Sequence, residues 1–534
     1  MPDHPTKYAL EGRVVTMDPS FTVVERGVVY VDGGRIAQVA PTNAPPPPGF
    51  QDAPVIGTRG TIYPGLIDLH NHLSYDALAL WQVPQLYTNR DQWGRHPDYR
   101  KLISGPMTVL GKTPGYVEAV VRYVECKCLL GGVTTAQGIA LFSNQGITRH
   151  YRGVVRNVEE TGEDDLPDAA TKISDVEAED AEKFLGRLQD SSCLLLHLSE
   201  GTDERARGHF QALRLSDGTW AITPALAGIH CAALKPEDFD VLAEHGGSMV
   251  WSPLSNLLLY GQTADVGAAK ESGVRVALGS DWSPSGSKSL LGELKVARLV
   301  AAEQDTGISD RELLAMATRE AAKILKWDGA LGSIEAGKRA DLIVLYGRNT
   351  DPYEALLEAG ETGVALIVID GVPRVGNERL MGSFGPVTER WRVGTAERAL
   401  NLSQESADPV VGALTLREAR DTLRDGLNRL PELARQQALR APEALADEPR
   451  WSLVLEHEEP LDMAIRTHFS QGVEAEPATL RLAEVMALRE PLSELLVSLT
   501  LDPLTVSDDK TFFGRLLDEP NVPDYVSEGL PDLF

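Results

Sequence analysis

Cysteine, basic charge and long apolar runs are all scarce in this sequence. Its 534 residues include only four cysteines, too few for a disulfide framework, and this composition fits a reducing compartment. No window approaches the roughly 18 uninterrupted apolar residues of a membrane-spanning helix, and the opening MPDHPTKYAL lacks the apolar core of a signal peptide. We therefore expect a soluble, cytoplasmic protein that does not act in a membrane.

Acidic residues exceed basic residues, 78 against 51, which gives a net charge of −27. Such a surface repels phosphate backbones, and we find no basic stripe interleaved with aromatic residues, so nucleic acid is not an expected partner. The hydrophobic share of 43% and the charged share of 24% are those of an ordinary globular protein. The length allows about three domains.

Strand signals occur near both ends of one large region. Residues 1–62 contain short alternating segments around an Asp-Gly-Gly turn at 32–34, which is a hairpin signal. Similar segments return at 336–345 and 364–375, the second with its own Asp-Gly turn. We expect 1–62 and 329–395 to form one small β-sandwich built from both flanking segments.

Between these flanks, short apolar segments alternate with stretches long enough for a helix. Strands that alternate with helices predict parallel βαβ units, and eight of them fit an α/β fold with a closed (β/α)8 TIM barrel over 63–328. A doubly wound open sheet is the rival, but no GxGxxG motif follows any of these strands. The eight candidate strands are 65–72, 132–138, 153–160, 169–176, 192–200, 226–232, 246–256 and 275–283.

The last part of the chain, 396–534, has a different pattern. Thr415 followed by Glu418 is a capping box, and apolar residues then recur at steps of three and four, which predicts a helical extension. The sequence leaves open whether this extension packs on the barrel or on another subunit of a homo-oligomer. The recurring apolar residues are Leu416, Ala419, Leu423, Leu427 and Leu430.

Polar side chains end four of the candidate strands, and the carboxyl ends of barrel strands form the active-site face. His70 and His72 end the first strand, two residues apart, so we expect both to point to one face. With His197 at the end of the fifth strand and Asp281 at the end of the eighth, they could hold one divalent cation and leave a position for water.

Two further strand-end residues suit proton transfer beside such a cation. A bound divalent ion lowers the pKa of its water to roughly 7 and supplies hydroxide at neutral pH. Glu200, just past the fifth strand, is placed to take the proton of that water and pass it to a leaving group. His230, at the end of the sixth strand, would hydrogen-bond the water or the substrate and stabilise developing charge. The sequence therefore predicts a metal-dependent hydrolase.

Five motifs make the sequence resemble the amidohydrolase superfamily over roughly residues 8–380. The likeness is to the branch that holds triazine chlorohydrolases, guanine deaminases, and methylthioadenosine or S-adenosylhomocysteine deaminases. The motifs are YPGLIDLHNH at 63–72, HLSE at 197–200, SPLSNLLLYG at 252–261, LGSD at 278–281 and GSIEAGKRADLIVL at 332–345.

The resemblance implies a distorted barrel bracketed by a β-sandwich, with a single zinc or iron ion at the barrel mouth. It implies a hydrolase for non-peptide C–N bonds, in which a metal-bound hydroxide deaminates an amidine-like heterocyclic small molecule. The matching positions are His70, His72, His197 and Asp281 for the metal, Asp281 also for orienting the hydroxide, Glu200 for proton transfer, His230 for polarising water or substrate, and Ser255 and Asn256 for shaping the pocket.

Two departures from the family pattern leave alternatives open. Lys172 lies in the fourth candidate strand, where binuclear amidohydrolases carry a carboxylated bridging lysine, although an ordinary barrel-facing lysine competes with that reading. A carbamylated Lys172 would imply two metals and cleavage of cyclic or linear amides or lactones. Trp282, directly after Asp281, is not the usual deaminase continuation. An inactive barrel that serves as a binding or scaffold protein is a third interpretation.

Several other residues carry weaker signals. Lys288 could face a substrate anion or lie on the surface at a helix start. The loop 73–95 is rich in aromatic residues, which favours either a planar substrate or a lid packed for stability. Its aromatic residues are Tyr75, Trp81, Tyr87 and Trp93. The histidines expected to be structural or on the surface are His4, His96, His150, His209, His245, His457 and His468.

Overall fold

The structure is a computed structural model that describes residues 5–346, 351–385, 387–404, 407–439, 450–455 and 490–534. The strands are β1 (Lys7–Val15), β2 (Val23–Asp32), β3 (Arg35–Pro41), β4 (Val55–Pro64), β5 (Leu66–Asp68), β6 (Val133–Ala136), β7 (Ala140–Ser143), β8 (Thr148–His150), β9 (Arg156–Asn157), β10 (Ala170–Lys172), β11 (Leu194–Leu198), β12 (Leu226–His230), β13 (Ser248–Trp251), β14 (Arg275–Leu278), β15 (Leu342–Tyr346), β16 (Val364–Ile369), β17 (Val372–Gly376), β18 (Glu389–Val393), β19 (Ala396–Leu400) and β20 (Trp451–Leu453).

The α-helices alternate with the central strands and dominate the end of the chain. They are α1 (Arg90–Trp93), α2 (Pro97–Tyr99), α3 (Gly105–Leu110), α4 (Tyr116–Leu130), α5 (Ala181–Gln189), α6 (Glu204–Gln211), α7 (Pro236–Glu244), α8 (Pro253–Tyr260), α9 (Val266–Glu271), α10 (Leu290–Glu303), α11 (Asp310–Met316), α12 (Arg319–Ile324), α13 (Pro352–Leu357), α14 (Glu378–Met381), α15 (Leu416–Asn428), α16 (Leu430–Leu439), α17 (Leu492–Leu495), α18 (Phe512–Leu517) and α19 (Asp524–Ser527). In the described part of the chain, no helix has the length and apolarity needed to cross a membrane.

Both ends of the chain contribute to one nine-stranded sheet, in the order β18-β19-β17-β16-β15-β4-β1-β2-β3. Antiparallel pairing of β4 with β15 joins the two halves and sets Leu342 opposite Pro64. The predicted turn after β2 pairs Asp32 with Arg35. Gly33 in this turn has a φ of 59°, a left-handed conformation that glycine adopts without steric cost. The segments that flank the central region thus meet in a shared sheet.

Each of the eight candidate segments contains a parallel strand. Strands β10 to β14 form one sheet in chain order, and β5, β6 and β9 form another. Backbone hydrogen bonds continue across both gaps between these sheets. Ala169 N donates to Val158 O (2.8 Å) between β9 and β10, and Asp281 N donates to His70 O (2.8 Å) between the ends of β14 and β5. The first and last parallel strands therefore end side by side.

Strands β9 and β10 are shorter than the sequence predicts, because the third and fourth segments spend much of their length in loops. Carboxylates in these loops accept hydrogen bonds from neighbouring backbone. Glu159 accepts from Gly138 N and Glu160 accepts from His150 N, both at 2.7 Å. These contacts hold irregular backbone in place where a longer strand was expected.

The predicted boundary at residue 395 falls inside the β18–β19 hairpin. Ala396 pairs with Val393 across its turn, and β19 pairs with β17, so the nine-stranded sheet continues to Leu400. The sequence missed this hairpin because β18 is rich in charged residues: four of its five residues are partly or fully exposed. The C-terminal extension starts after this strand.

Helix α15 begins at the capping box that the sequence predicts. Thr415 Oγ1 accepts from Glu418 N (3.2 Å), and a Glu418 carboxylate oxygen accepts from Thr415 N (3.0 Å). The extension packs on its own chain: Tyr116 at the start of α4 donates to Asp425 of α15 (2.8 Å), and Asp502 N donates to Ala77 O (3.0 Å). These contacts place described parts of the extension against α4 and the loop after β5.

Candidate metal centre

His70 and His72 lie just beyond β5, beside the end of β14. Their backbone is tied to Asp281 twice, since His72 N donates to Asp281 O (2.7 Å) and Asp281 N donates to His70 O (2.8 Å). The two imidazole rings lie 4.7 Å apart between centroids. The residues expected from the first and eighth strands are therefore brought together by adjacent strand ends.

Four ligand-type side chains converge at this point. His72 Nε2 lies 3.3 Å from His197 Nε2, and Asp281 Oδ1 lies 3.2 Å from His70 Nε2 and 3.5 Å from His72 Nε2. Burial, followed by the nearby His70 and Arg90, holds the pKa of His197 well below its usual range, so its imidazole is neutral. Imidazole nitrogens that face one another, beside a carboxylate, are the donor set that a divalent cation needs.

Asp281 is held as a carboxylate in spite of its burial. Burial works to raise its pKa, but the neighbouring His70 and His72 rings hold it below its usual range. Its backbone has a positive φ of 65°, a conformation that costs free energy for a residue other than glycine. The surrounding structure therefore imposes the direction in which this carboxylate points.

Gln137, at the end of the second barrel-type strand β6, orients the His70 ring. Its Oε1 accepts a hydrogen bond from Asn71 N (3.0 Å), so this atom is the amide oxygen, and it lies 3.0 Å from His70 Nδ1. His70 Nδ1 must then carry the proton. His70 Nε2, on the other side of the ring, is buried and faces the cluster, 3.2 Å from Asp281 Oδ1. This arrangement is typical of a metal-ligating histidine whose other ring nitrogen donates a hydrogen bond to a neighbouring group.

Glu200 lies buried at the edge of the same cluster. Tyr260 donates to its Oε1 (2.7 Å), while its Oε2 lies 3.6 Å from Arg90 Nε and 3.7 Å from His230 Nε2. Carboxylate and imidazole groups at this spacing reach a common small molecule placed between them. The predicted proton-transfer residue thus adjoins both the ligand cluster and His230.

A chain of hydrogen bonds sets the tautomer of His230. Trp251 Nε1, which can only donate, bonds Thr263 Oγ1 (2.8 Å), so the Thr263 hydroxyl donates to Asn256 Oδ1 (3.1 Å). Asn256 Nδ2 then donates to His230 Nδ1 (3.0 Å). Burial holds the pKa of His230 well below its usual range, so the neutral ring carries its proton on Nε2. That N–H points toward Glu200 and the cluster.

A cavity of about 1380 Å³ opens beside the centre, with His72, Arg90 and Glu159 among its lining residues. The four aromatic residues of the loop 73–95 all belong to the packed core, and Tyr75 and Trp93 also line the cavity. Trp282 packs against these cavity-lining residues. Its ring centroid lies 5.1 Å from that of Tyr75, 5.7 Å from that of His72 and 5.9 Å from that of Trp93.

The two lysines singled out in the sequence, Lys172 and Lys288, lie in different surroundings. Lys172 lines the cavity, and its Nζ donates to the Ser174 carbonyl and hydroxyl and to Asp175 O (3.0 Å). Both readings of Lys288 are wrong. Its side chain is 2% exposed and pairs with Asp502 and with Asp509 (3.0 Å), so it neither lies on the surface nor faces the cavity.

The remaining histidines lie away from the ligand cluster. His209 pairs with Asp175 (2.8 Å), and His96 Nδ1 accepts from Asp98 N (3.2 Å). His150 lines the cavity, which its expected surface or structural role did not include. His245 follows α7, and His4, His457 and His468 lie outside the described residues.

The sequence analysis missed the polar residues that contact the predicted ones. Gln137 follows β6, Tyr260 lies within the SPLSNLLLYG motif but carries no predicted role, and Arg90 lies in the aromatic loop. Gln137 ends the second candidate strand and could have been found by applying the strand-end rule to every strand. Tyr260 carries no comparable signal, because its partner lies 60 residues away in the sequence.

The chain matches the model of the amidohydrolase family over residues 199–373. It is 26% identical to the 5'-deoxyadenosine deaminase of Methanothermobacter thermautotrophicus over 65% of this chain and 89% of that protein. It is also 26% identical to the 5-methylthioadenosine/S-adenosylhomocysteine deaminase of Desulforudis audaxviator, over 65% of this chain and 88% of that protein.

Solved structures show the same fold. An atrazine chlorohydrolase from Arthrobacter aurescens TC1, complexed with zinc, has a TM-score of 0.54 and 22% identity, covering 70% of this chain and 96% of that one. A zinc-bound adenosine deaminase from Xanthomonas campestris has a TM-score of 0.51 and 19% identity, covering 79% and 100%. The likeness gives this chain a TIM-barrel-like α/β fold, and its residues 199–373 match the amidohydrolase family model.

Proposed function

We propose that this protein is a metal-dependent hydrolase that deaminates an amidine-like carbon of a heterocyclic small molecule. The observation that carries the proposal is the convergence of three imidazoles and one carboxylate next to Glu200 and His230, beside a large cavity. The named activities of the related deaminases support the same reaction class.

The ligands of the metal are His70, His72, His197 and Asp281 in this proposal. His70, His72 and His197 offer ligand atoms within 4.8 Å of one another, and Asp281 belongs to a second such group with His70 and His230. The proton on His70 Nδ1 leaves Nε2 ready to ligate. Zinc suits this set of nitrogen and oxygen donors and is the ion named for two structural relatives. When bound, such a cation supplies Lewis-acid activation of water.

Glu200 and His230 divide the remaining work. Glu200 takes a proton from the attacking water and returns it to the departing nitrogen, so that water and an amino-substituted carbon give a carbonyl group and ammonia. His230 donates from Nε2, the nitrogen that faces Glu200 at 3.7 Å, and stabilises negative charge that develops on the oxygen. Burial keeps both groups away from bulk solvent.

The substrate class follows from the cavity and from the relatives. The cavity volume of about 1380 Å³ exceeds what a bare heterocycle fills, and Tyr75 and Trp93 provide aromatic wall on the side of the centre. Because the curated relatives act on adenine-containing nucleosides by name, an aminopurine nucleoside is the first class to test.

The fold division that accompanies this proposal is a distorted (β/α)8 barrel over 63–328, flanked by 1–62 and 329–400. The hydrogen bonds from Ala169 to Val158 and from Asp281 to His70 support closure of the eight strands into one ring. The flanking segments share the nine-stranded sheet, which supports treating them as one unit. Residues after 400 are the extension.

The binuclear alternative receives little support. A bridging lysine must carry a carbamate in place of its ammonium group, whereas Lys172 Nζ donates to two carbonyl oxygens and one hydroxyl. An ammonium group suits three acceptors. The reading as an inactive scaffold is countered by the complete set of ligand and proton-transfer side chains around one point.

The test combines metal content with ammonia release. Protein purified without chelators, with bicarbonate present, is analysed by inductively coupled plasma mass spectrometry and incubated with aminopurine nucleosides and other amino-heterocycles. We expect about one zinc per chain and release of ammonia.

The variants separate metal binding from proton transfer. Glu200→Gln should keep the metal and lose turnover, whereas His70→Ala should lose the metal. His245→Ala is the matched histidine control. About two metals per chain with amide cleavage would favour the alternative reaction, and a metal-free inactive protein would overturn the proposal.

A further inference from the structure

A hydrogen-bonded pair of aromatic side chains lies behind Glu200. Tyr260, the last residue of α8, is 1% exposed, and its hydroxyl lies 2.7 Å from Glu200 Oε1. Trp93, from the loop after β5, places Nε1 2.8 Å from the same hydroxyl. The segments that follow β5, β11 and β13 therefore meet at one phenolic oxygen.

The direction of these hydrogen bonds follows from the chemistry of indole. Indole nitrogen donates and never accepts, so the Tyr260 oxygen is the acceptor for Trp93. The single proton of the Tyr260 hydroxyl is then left to donate to Glu200 Oε1. No rotation of the hydroxyl can reverse the pattern without leaving the Trp93 N–H facing another hydrogen.

The two oxygens of Glu200 consequently differ. Oε1 accepts a short hydrogen bond from a buried donor, and Oε2 faces His230 Nε2 at 3.7 Å and Arg90 Nε at 3.6 Å. Oε2 is therefore the oxygen on the side of His230 and the ligand cluster. A proton on Oε1 would meet the hydroxyl hydrogen of Tyr260.

We infer that Tyr260, held by Trp93, is a positioning residue that fixes the rotation of the Glu200 carboxylate and assigns proton transfer to Oε2. The inference rests on the proposed function, because it adds an orienting group to the proposed proton-transfer residue. Carboxylate rotation matters since a group misplaced by about 1 Å costs on the order of a hundredfold in rate.

The main test compares Tyr260→Phe with Tyr87→Phe in the zinc-loaded, full-length protein. Tyr87 is a matched control, because it is also 1% exposed and its hydroxyl makes no hydrogen bond among the described residues. We expect Tyr260→Phe to lower kcat by about tenfold to a hundredfold while KM and zinc content stay unchanged. Trp93→Phe should lower kcat less, because Tyr260 keeps its proton but loses its fixed direction. Tyr87→Phe should match the wild type.

A second measurement needs no turnover. A double-mutant cycle of unfolding by denaturant, with Tyr260→Phe and Glu200→Ala, should give a coupling free energy clearly different from zero, whereas Tyr87→Phe with Glu200→Ala should give additive effects. If the wild type deaminates nothing, the proposed function fails while this coupling still reports the contact. An unchanged kcat in Tyr260→Phe, a loss of zinc together with kcat, or additive unfolding energies would each overturn the inference.

Discussion

Asp502 in the C-terminal extension and Lys127 on α4 form an ion pair at 2.7 Å, with side chains 0% and 1% exposed. Lys127 also hydrogen-bonds Ser283, two residues after Asp281, and the carbonyl of Asp76 (2.9 Å) in the loop after β5. The other Asp502 oxygen binds Lys288, in the same loop as Ser283. One carboxylate from the extension thus ties together the two loops that carry three of the four proposed metal ligands.

Replacing Asp502 with alanine should destabilise the protein strongly. The substitution leaves Lys127 without its carboxylate partner and Lys288 with Asp509 alone, and breaking a buried ion pair costs about 3–5 kcal/mol. Denaturant unfolding measures the loss. Asp532→Ala, at an exposed position of the same extension, should leave stability within about 0.5 kcal/mol of the wild type. Equal stability of the two variants would contradict the contribution assigned to the Asp502 ion pairs.

Gln137→Leu should weaken metal binding without removing a ligand. His70 Nδ1 loses the oxygen that accepts its proton, so the ring is free to rotate away from the cluster. Groups that orient a metal ligand in this way typically contribute about tenfold to a hundredfold in affinity. Competition for zinc with a chromogenic chelator measures the change, and Gln38→Leu on β3 is the control. Equal zinc affinities in the two variants would contradict the assigned role.

The strand-end rule located the six residues around the centre, because a (β/α)8 pattern places every strand terminus on one face. It could not locate their partners. Tyr260 reaches Glu200 from a helix end, and which way a helix terminus points depends on packing across loops. Lys288 illustrates the limit, since its burial is produced by Asp502, 214 residues later in the chain. Local pattern fixes which residues end a strand; contacts over such separations depend on the assembled core.

Glu293 gives a pH dependence of stability with a definite sign. Its side chain is fully buried on α10, accepts from Leu254 N (3.0 Å) and hydrogen-bonds Ser287, and burial raises its pKa from 4.5 to about 8. The folded chain therefore keeps a proton that the unfolded chain releases between these two values. Its contribution to the free energy of unfolding is fully present below about pH 4.5 and declines as pH rises to about 8.

Glu293→Gln should remove that decline, because an amide has the shape of the protonated carboxyl and does not titrate. We expect the free energy of unfolding of the variant to fall less than that of the wild type between pH 5 and roughly pH 8.5, as measured by denaturant unfolding across that range. Glu494→Gln, at an exposed position on α17, should follow the wild-type curve. Parallel curves for Glu293→Gln and the wild type would mean that Glu293 is ionised in the folded protein.

Thr263→Val tests the hydrogen-bond chain that sets the tautomer of His230. The substitution keeps the side-chain shape but removes the hydroxyl between Trp251 Nε1 and Asn256 Oδ1, so the Asn256 amide can turn its oxygen toward His230 Nδ1. His230 would then place its proton on Nδ1 and lose the donor on Nε2. We expect kcat for ammonia release to fall by up to about a hundredfold with zinc content unchanged, since one positioned donor contributes about that much. Wild-type kcat in Thr263→Val would show that the Asn256 orientation does not depend on Thr263, and a fall in zinc content would assign the chain to the metal ligands instead.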